Sequence, residues 1–304
     1  VGGVLSSVRK VAVLGCGYVG ARVLRLLRAR GVPAFGVVRS ASSAAALAAE
    51  GLVVSAFDLD SADWSGLDGD CNGVVFAASA GGGGPEAYVA AYDHRVRRAV
   101  QWAKAVGATR FVLTSSTGVY RQDGGVTVDE HSPAGGDQAS DAILAGEGAV
   151  SAGGFARARV LRLGGLYGPG RHYLLDAFRR GETVVGGRSD HFINYLHGDD
   201  AASSVVAALE CGPDGYRVYN VTDGSPVTKA DLARWIAGRL GLPPPIFKPD
   251  APAGPRLSRG GRSQPSRRIL SSLIGAELRW RPVHRDVFGG LESCMGGLRN
   301  DSVT

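Results

Sequence analysis

Cysteine is scarce. Four residues, Cys16, Cys71, Cys211 and Cys294, stand far apart in a chain of 304. With no CxxC pair and no Cys/His ligand spacing, the sequence excludes a disulfide-stapled scaffold and a zinc ribbon, and no metal site is expected. No apolar run approaches the ~18 residues of a membrane span. The first ten residues, VGGVLSSVRK, carry no secretory h-region. The expectation is a cytoplasmic protein with free thiols and no membrane contact. The basic excess is modest, a net charge of +6. It is mostly arginine scattered along the chain, with no aromatic-interleaved stripe, so no nucleic-acid partner is expected; arginines for phosphorylated ligands explain the charge as well.

Glycine is present in quantity, 46 residues, many of them between apolar runs. The stretch KVAVLGCGYVG is the most informative. An apolar run over 11–14 ends in Gly15-Cys16-Gly17-Tyr18-Val19-Gly20, and leucines and arginines then follow at helical spacing. This reads as strand, glycine turn, helix. Gly15 permits the tight turn, Gly17 lets a pyrophosphate approach the backbone, and Gly20 lets helix and strand pack closely. The anion would sit on the free amides that open the helix, flanked by Tyr18 and Val19.

A second strand, 33–38, ends in Arg39-Ser40. An acid at this place holds the ribose 2′-hydroxyl of NAD, whereas an arginine accommodates a 2′-phosphate. Arg39 therefore points to NADP, with NAD the alternative. Strand 53–57 closes on Asp58-Leu59, where a carboxylate can accept from the adenine amino group. Strand 73–78 runs through Ala77 and Ala78 to Ser79, and the glycine run at 81–84 would let backbone lie against the middle of the cofactor. Further expectations are helices at 41–50, 88–106, 139–150, 201–209 and through 240, the last capped by Thr228 with Asp231 at its third position. Strands are expected at 110–114, 159–163 and 219–221. A proline- and glycine-rich loop should cover 241–266, followed by helices near 266–274 and 285–298. This alternation specifies an α/β fold, a doubly wound parallel sheet with helices on both faces. Ligands of such sheets bind beyond the carboxyl ends of the strands.

Five motifs in order, GCGYVG, TSSTGVY, LYGPGR, NYLHGDD and YNVTDG, resemble the extended short-chain dehydrogenase/reductases, the NAD-dependent epimerase/dehydratase group, over roughly residues 10–295. The resemblance implies a Rossmann domain (1–167, with 196–222 and 284–298) and a smaller C-terminal substrate lobe (168–195 and 223–283). It implies an oxidoreductase or epimerase/dehydratase acting on a small or sugar-like metabolite, with nucleotide sugar the family default. A homodimer through helices near 85–106 and 137–150 would also follow. The family's serine falls on Ser116, four residues before Tyr120. Arg171, after LYGPG, and Asn194, in NYLHGDD, fall where a substrate would be held, and Arg188, Arg256, Arg259, Arg262, Arg267 and Arg268 supply further cations.

One departure is sharp. Members of the family use a Tyr-x-x-x-Lys pair in which the tyrosine is the general acid/base. Counting back from Glu147 places that pair at Ala139 and Ile143, and the stretch 135–148 contains neither Tyr nor Lys. The six-residue glycine motif is also the family's minority form, so the chain resembles an atypical branch. Tyr120, Tyr167, Tyr173, Glu130, His131, Asp141 and His197 remain as proton donors, unless the substrate needs only a hydride and solvent protons. The alternative is a non-catalytic NADP-binding sensor or scaffold. A module that uses the basic loop to hold nucleic acid or protein is a third reading.

Overall fold

The computed structural model describes residues 8–81, 84–251 and 265–296. Seven strands form the central sheet: β1 (Val11–Leu14), β2 (Ala34–Val38), β3 (Val54–Ala56), β4 (Gly73–Phe76), β5 (Arg110–Ser116), β6 (Arg157–Leu163) and β7 (Gly215–Val221). Their spatial order is β7-β6-β5-β4-β1-β2-β3, and every pairing is parallel. The chain runs outward from β1 in one direction, then returns to β4 and runs out in the other. The β1/β4 boundary is thus the switch point where such sheets hold ligands.

The apolar runs of these strands are continuous because both faces are covered. β1 shows how: Val11 and Val13 enter the core on one face, Ala12 and Leu14 the core on the other. The covering helices are α1 (Gly20–Ala29), α2 (Ala41–Ala49), α3 (85–105), α4 (Gln138–Ser151) and α6 (Gly198–Glu210). A π-helical turn, Val89–His94, interrupts α3. Ala87 and Ala90, at and before that turn, border the cleft described below, a common setting for such turns. Asp137 and Ser140 cap α4 reciprocally, which fixes its start against the sheet.

A smaller lobe is built on α5 (Tyr173–Arg179), α7 (Lys229–Leu240) and α9 (Val287–Gly296). Thr228 caps α7 as expected, accepting from the Asp231 amide at 3.1 Å. Leu174, Phe178, Leu232, Ile236, Val287 and Leu291 share one apolar cluster there. Between α7 and α9 lies α8 (Ser272–Leu278). Its Ile274 and Leu278, with Trp280, pack instead into the core beside α1 and α6. α8 thus packs with the core under the central sheet, and α9 with the cluster of α5 and α7.

Two local expectations are corrected. Residues 266–274 are not one helix: Arg267–Ile269 is a strand paired in parallel with Val126–Val128, and the helix starts only at Ser272. The alternation explains it, since Arg267 and Ile269 point inward and Arg268 outward. Within the expected loop, Ile246–Lys248 pairs with Val184–Gly186. Arg256, Arg259 and Arg262 lie outside the described residues, as do residues 82 and 83 of the glycine run.

Candidate functional site

The three glycines of the turn differ in their surroundings. Gly15 has φ 98°, and a Cβ there would lie 2.5 Å from the Ala78 amide nitrogen. A Cβ on Gly20 would run into the Gly15 carbonyl. At Gly17 a Cβ would meet nothing within 4 Å. The turn is pinned by the Gly15 and Cys16 amides, which donate to the Val37 carbonyl at 3.2 and 2.9 Å. The helix it opens, α1, has no side-chain cap and no acid in its first turn, so its positive end is left for an anion.

A cleft of about 520 Å³ runs from this turn. Gly15, Gly17, Arg39, Ser40, Asp58, Leu59, Ala78 and Ser79, eight of the residues proposed from sequence for the cofactor, line it. Ser43 and Arg95 line it too and were not foreseen. No hydrogen bond holds the Arg39 guanidinium among the described residues. Ser40 caps α2 by accepting from the Ser43 amide at 3.2 Å. Arg95 grips Asp60 through two hydrogen bonds of 2.7 and 2.6 Å, which, with Arg98 and Arg39 nearby, hold that carboxyl below its usual range. The remaining residues expected at the cofactor serve the turn from behind. Val19 is buried, and the Ala77 amide continues the sheet by donating to Leu14. Tyr18 turns toward the lobe, donating to the Tyr167 carbonyl at 3.0 Å. Its ring lies between two guanidiniums, Arg22 at 3.9 Å and Arg171 at 4.6 Å.

An open Gly17, an uncapped helix end and an arginine and two serines at the β2 edge fit an NAD(P) dinucleotide. Cys16 beside them is inert, its thiol pushed up to about 12 by burial.

Ser116 ends β5. Its hydroxyl accepts from the Gly118 amide at 3.0 Å, and its own proton has no acceptor among the described residues. Tyr120 has a different fate. It is 0 % exposed, donates to Asn220 Oδ1 at 2.8 Å and accepts from Arg162 Nη1 at 2.9 Å. Arg162 in turn forms a forked pair with Glu147, and Ser115 donates to the same carboxylate at 2.5 Å. Burial alone would lower the Arg162 guanidinium, but Glu147 overrides it and raises it. Both hydrogen-bonding capacities of the Tyr120 hydroxyl are spent and burial pushes its pKa up, so the buried network corrects the expectation of a proton donor there.

Nothing titratable replaces the missing pair on α4. Ala139 is 2 % and Ile143 1 % exposed, and Ile143 packs with Tyr92, Val119 and Tyr120. Most of the other candidates are likewise engaged. Tyr167 donates to the Asp286 carbonyl, Glu130 accepts from the Asn220 amide, and Asp141 accepts from the Gly136 amide. His131 is exposed in its loop. His197 caps α6 through Nδ1, and its ring lies 3.7 Å from that of His284. His197, Asp200 and His284 do bring ligand-type atoms within 4.8 Å. Both Asp200 oxygens, however, already accept from the Val283 and His284 amides, so the group reads as an anchor between α6 and the segment before α9.

Tyr173 alone of these candidates borders a second cavity, half open and of about 360 Å³, between the lobe and the ends of β5 and β6. Thr117, Arg171, His172, His191, Phe192 and Arg267 also line it. Arg171, proposed from sequence for the substrate, is thus brought to this cavity. Asn194 lines it as well, but its amide is spent on the 267–269 strand, donating to the Arg267 carbonyl at 2.9 Å and accepting from the Ile269 amide at 2.8 Å. The two histidines were not foreseen. Their signal was proximity in sequence to Arg171 and to the NYLHGDD motif.

Asp223, of the YNVTDG motif, is buried close to Tyr167 and Tyr195, and burial raises its carboxyl from 3.8 to about 7. A carboxyl that holds its proton more tightly folded than unfolded loses stability as pH climbs from about 4 to 7, and the loss is complete above that. Asp223→Asn removes the loss. Its stability relative to the parent should therefore rise by about 2 kcal/mol between pH 5 and pH 8, read by urea denaturation. A gap independent of pH contradicts this.

The all-parallel sheet with a glycine turn at its switch point defines a dinucleotide-binding Rossmann protein. Residues 15–145 match a family described as NAD(P)H-binding. Over 258 residues the chain is 30% identical to Protein YeeZ of Escherichia coli (strain K12), covering 81% of this chain and 89% of that protein. Over 214 residues it is 31% identical to a 3-diazoavenalumate denitrifying reductase of Streptomyces, covering 63% of this chain and 67% of that protein. Its fold matches UDP-glucuronic acid 4-epimerase from Bacillus cereus in complex with NAD, with a TM-score of 0.77 at 18% identity, over 95% of this chain and 99% of that one. The chain belongs to the extended short-chain dehydrogenase/reductases, the NAD-dependent epimerase/dehydratase family. Among the described residues no helix is long and apolar enough to cross a membrane.

Proposed function

We propose that the protein is an NADP-dependent oxidoreductase acting on a small metabolite without a tyrosine/lysine pair. The observation that carries this is Ser116. A hydroxyl with an uncommitted proton stands at the end of β5, next to Thr117, which lines the lobe cavity, and one strand away from the cofactor cleft. When bound, NADPH supplies a hydride from C4 of its nicotinamide. The chain's part is to hold the diphosphate at Gly17 and the start of α1, and the 2′-phosphate at Arg39, Ser40 and Ser43. Ser116 donates to a substrate oxygen and polarises it. With Ala139 and Ile143 in place of an acid/base pair, the proton comes from solvent. That suits a substrate whose reduction needs no side-chain acid, and the reductase among the relatives supports this direction. Nucleotide sugar, which the epimerase neighbour's name implies, is the other candidate substrate. The four free cysteines fit a reducing cytoplasm, and pairing of α3 and α4 between two copies would give a homodimer.

The apolar seal around Ile143 favours one second reading, a cofactor sensor without turnover. Following absorbance of NADPH against a panel of carbonyl compounds, conjugated acids and nucleotide sugars separates the two. Turnover that falls at least tenfold in Ser116→Ala supports the first, and no turnover with any class supports the second.

Arg39→Ala should weaken NADPH binding about tenfold or more and leave NADH within about twofold, because only the 2′-phosphate contact, a charge-assisted bond worth roughly 1.5–3 kcal/mol, is lost. Fluorescence titration of both cofactors checks it. Equal losses for both would remove Arg39 from phosphate recognition.

A further inference from the structure

We propose that Arg95 is a positioning residue for cofactor choice: by holding the Asp60 carboxylate in a fork, it keeps Arg39 free for the 2′-phosphate of NADP. This deepens the NADP reading above and rests on it, since it concerns the same end of the cleft.

The three side chains meet because of where their elements end. β2 and β3 are parallel neighbours, with Val38 opposite Ala56 and the Phe57 amide donating to the Val38 carbonyl at 2.8 Å. Residues just beyond the two strands therefore emerge at one edge, Arg39 from β2 and the segment 57–60 from β3. Arg95 comes from α3, and its place depends on the π-helical turn. The α3 residues that line the cleft are Ala87, Ala90 and Arg95, spaced by three and then by five. In an unbroken α-helix a spacing of five falls off the face, and His94, four after Ala90, would take the position. The i→i+5 turn at Val89–His94 brings Arg95 round to the cleft instead and leaves His94 exposed.

At this edge one carboxylate stands among cations. The Arg95 fork is the main cause of the lowered Asp60 pKa, and the charges of Arg98 and Arg39 add to it. An unpaired carboxylate here would draw the Arg39 guanidinium onto itself and repel a phosphate dianion. Arg95 prevents both. Its Nε and Nη2 take the two Asp60 oxygens at 2.7 and 2.6 Å, the bidentate arrangement that leaves a carboxylate least to offer a second guanidinium. The Arg95 side chain is only 18% exposed, so the fork is held partly out of water. Arg98 donates instead to the Asp60 and Ser61 carbonyls, at 2.5 and 3.1 Å, which pins the backbone of the segment independently of Arg95. The neighbouring acid, Asp58, accepts from the Asp60 amide at 3.0 Å. Arg39, lining the same cleft, has no hydrogen bond among the described residues.

The test is fluorescence titration of the full chain with NADPH and with NADH, in the parent, in Arg95→Gln, and in Arg95→Gln combined with Asp60→Asn. A thermal melt accompanies each. The pair is partly exposed, so the three proteins should melt within a few degrees of one another. Arg95→Gln should weaken NADPH about tenfold and leave NADH within about twofold, because the uncompensated carboxylate engages Arg39 and opposes only the 2′-phosphate. The double variant should recover NADPH affinity to within about threefold of the parent, although it still lacks Arg95. An arginine that merely packs the cleft wall would weaken both cofactors and gain nothing from the second substitution. Undiminished preference for NADPH in Arg95→Gln, equal losses of both cofactors, or a double variant no better than the single overturns the proposal. Failure of the NADP reading is distinguishable, because it shows in the parent. A parent that binds NADH as tightly as NADPH refutes that reading and this role with it. A parent that prefers NADPH, with the preference kept in Arg95→Gln, refutes this role alone.

Discussion

Replacing Gly17 with valine is expected to abolish measurable NADP(H) binding while leaving the fold intact. The direction in which its Cβ would point is open, with nothing within 4 Å, and its φ is not in the left-handed region. Folding therefore loses little, within the roughly 0.5 kcal/mol typical of unobtrusive surface changes. The added isopropyl group fills the space the diphosphate needs and holds it off the amides that open α1. A loss of at least 100-fold in affinity follows, about 3 kcal/mol. Fluorescence titration with NADPH reads the affinity, and a thermal melt reads the fold. Gly15→Ala is a poorer probe, because strain at φ 98° and collision with Ala78 would perturb folding and binding together. Unaltered affinity in Gly17→Val would remove the turn from cofactor binding.

The second large effect is on stability. Arg162→Met should destabilise the protein by about 3–5 kcal/mol, since it leaves the Glu147 carboxylate buried with no counter-charge. Arg162 and Glu147 are both nearly inaccessible, with side-chain exposures of 8% and 4%. The Tyr120 hydroxyl loses its donor in the same step. In a chain of this size the Tm should fall by on the order of 10 °C. Adding Glu147→Leu should restore most of the loss, because removing both charges removes the desolvation cost with the attraction. Denaturant unfolding of the single and double variants measures the coupling. A single variant within 1 kcal/mol of the parent would mean that the network contributes little.

The Rossmann half was legible because its signals are local. Each strand of the first βαβ unit is a short apolar run ended by glycine or a polar residue, and the glycine turn lies within six residues. The lobe was not legible for the opposite reason. Its strands are two or three residues long, and distant partners fix their register, as when Arg267–Ile269 pairs with Val126–Val128. The spacing of Ile269, Leu270, Leu273 and Ile274 reads as helical, while pairing imposes a period of two on the first three residues. α5 went unseen because histidine is an uncommon cap, yet His172 serves as one.

At the site, Ser116 and the β2-edge arginine could be placed by counting from motifs. Tyr120 could be placed the same way, but its partners could not, since Arg162 and Asn220 stand 42 and 100 residues away in sequence. Motif position identified the tyrosine, and only the packing showed that its hydroxyl is consumed.

The central claim is that the cleft beyond β1 and β4 holds NADP in reduced or oxidised form and distinguishes it by its 2′-phosphate. Equilibrium titration of the protein with NADPH and NADH, followed by quenching of tryptophan fluorescence, tests it most directly. Micromolar NADPH affinity, at least tenfold tighter than NADH and lost in Gly17→Val, is the expected result. Binding of neither cofactor, or binding indifferent to Gly17, would contradict it.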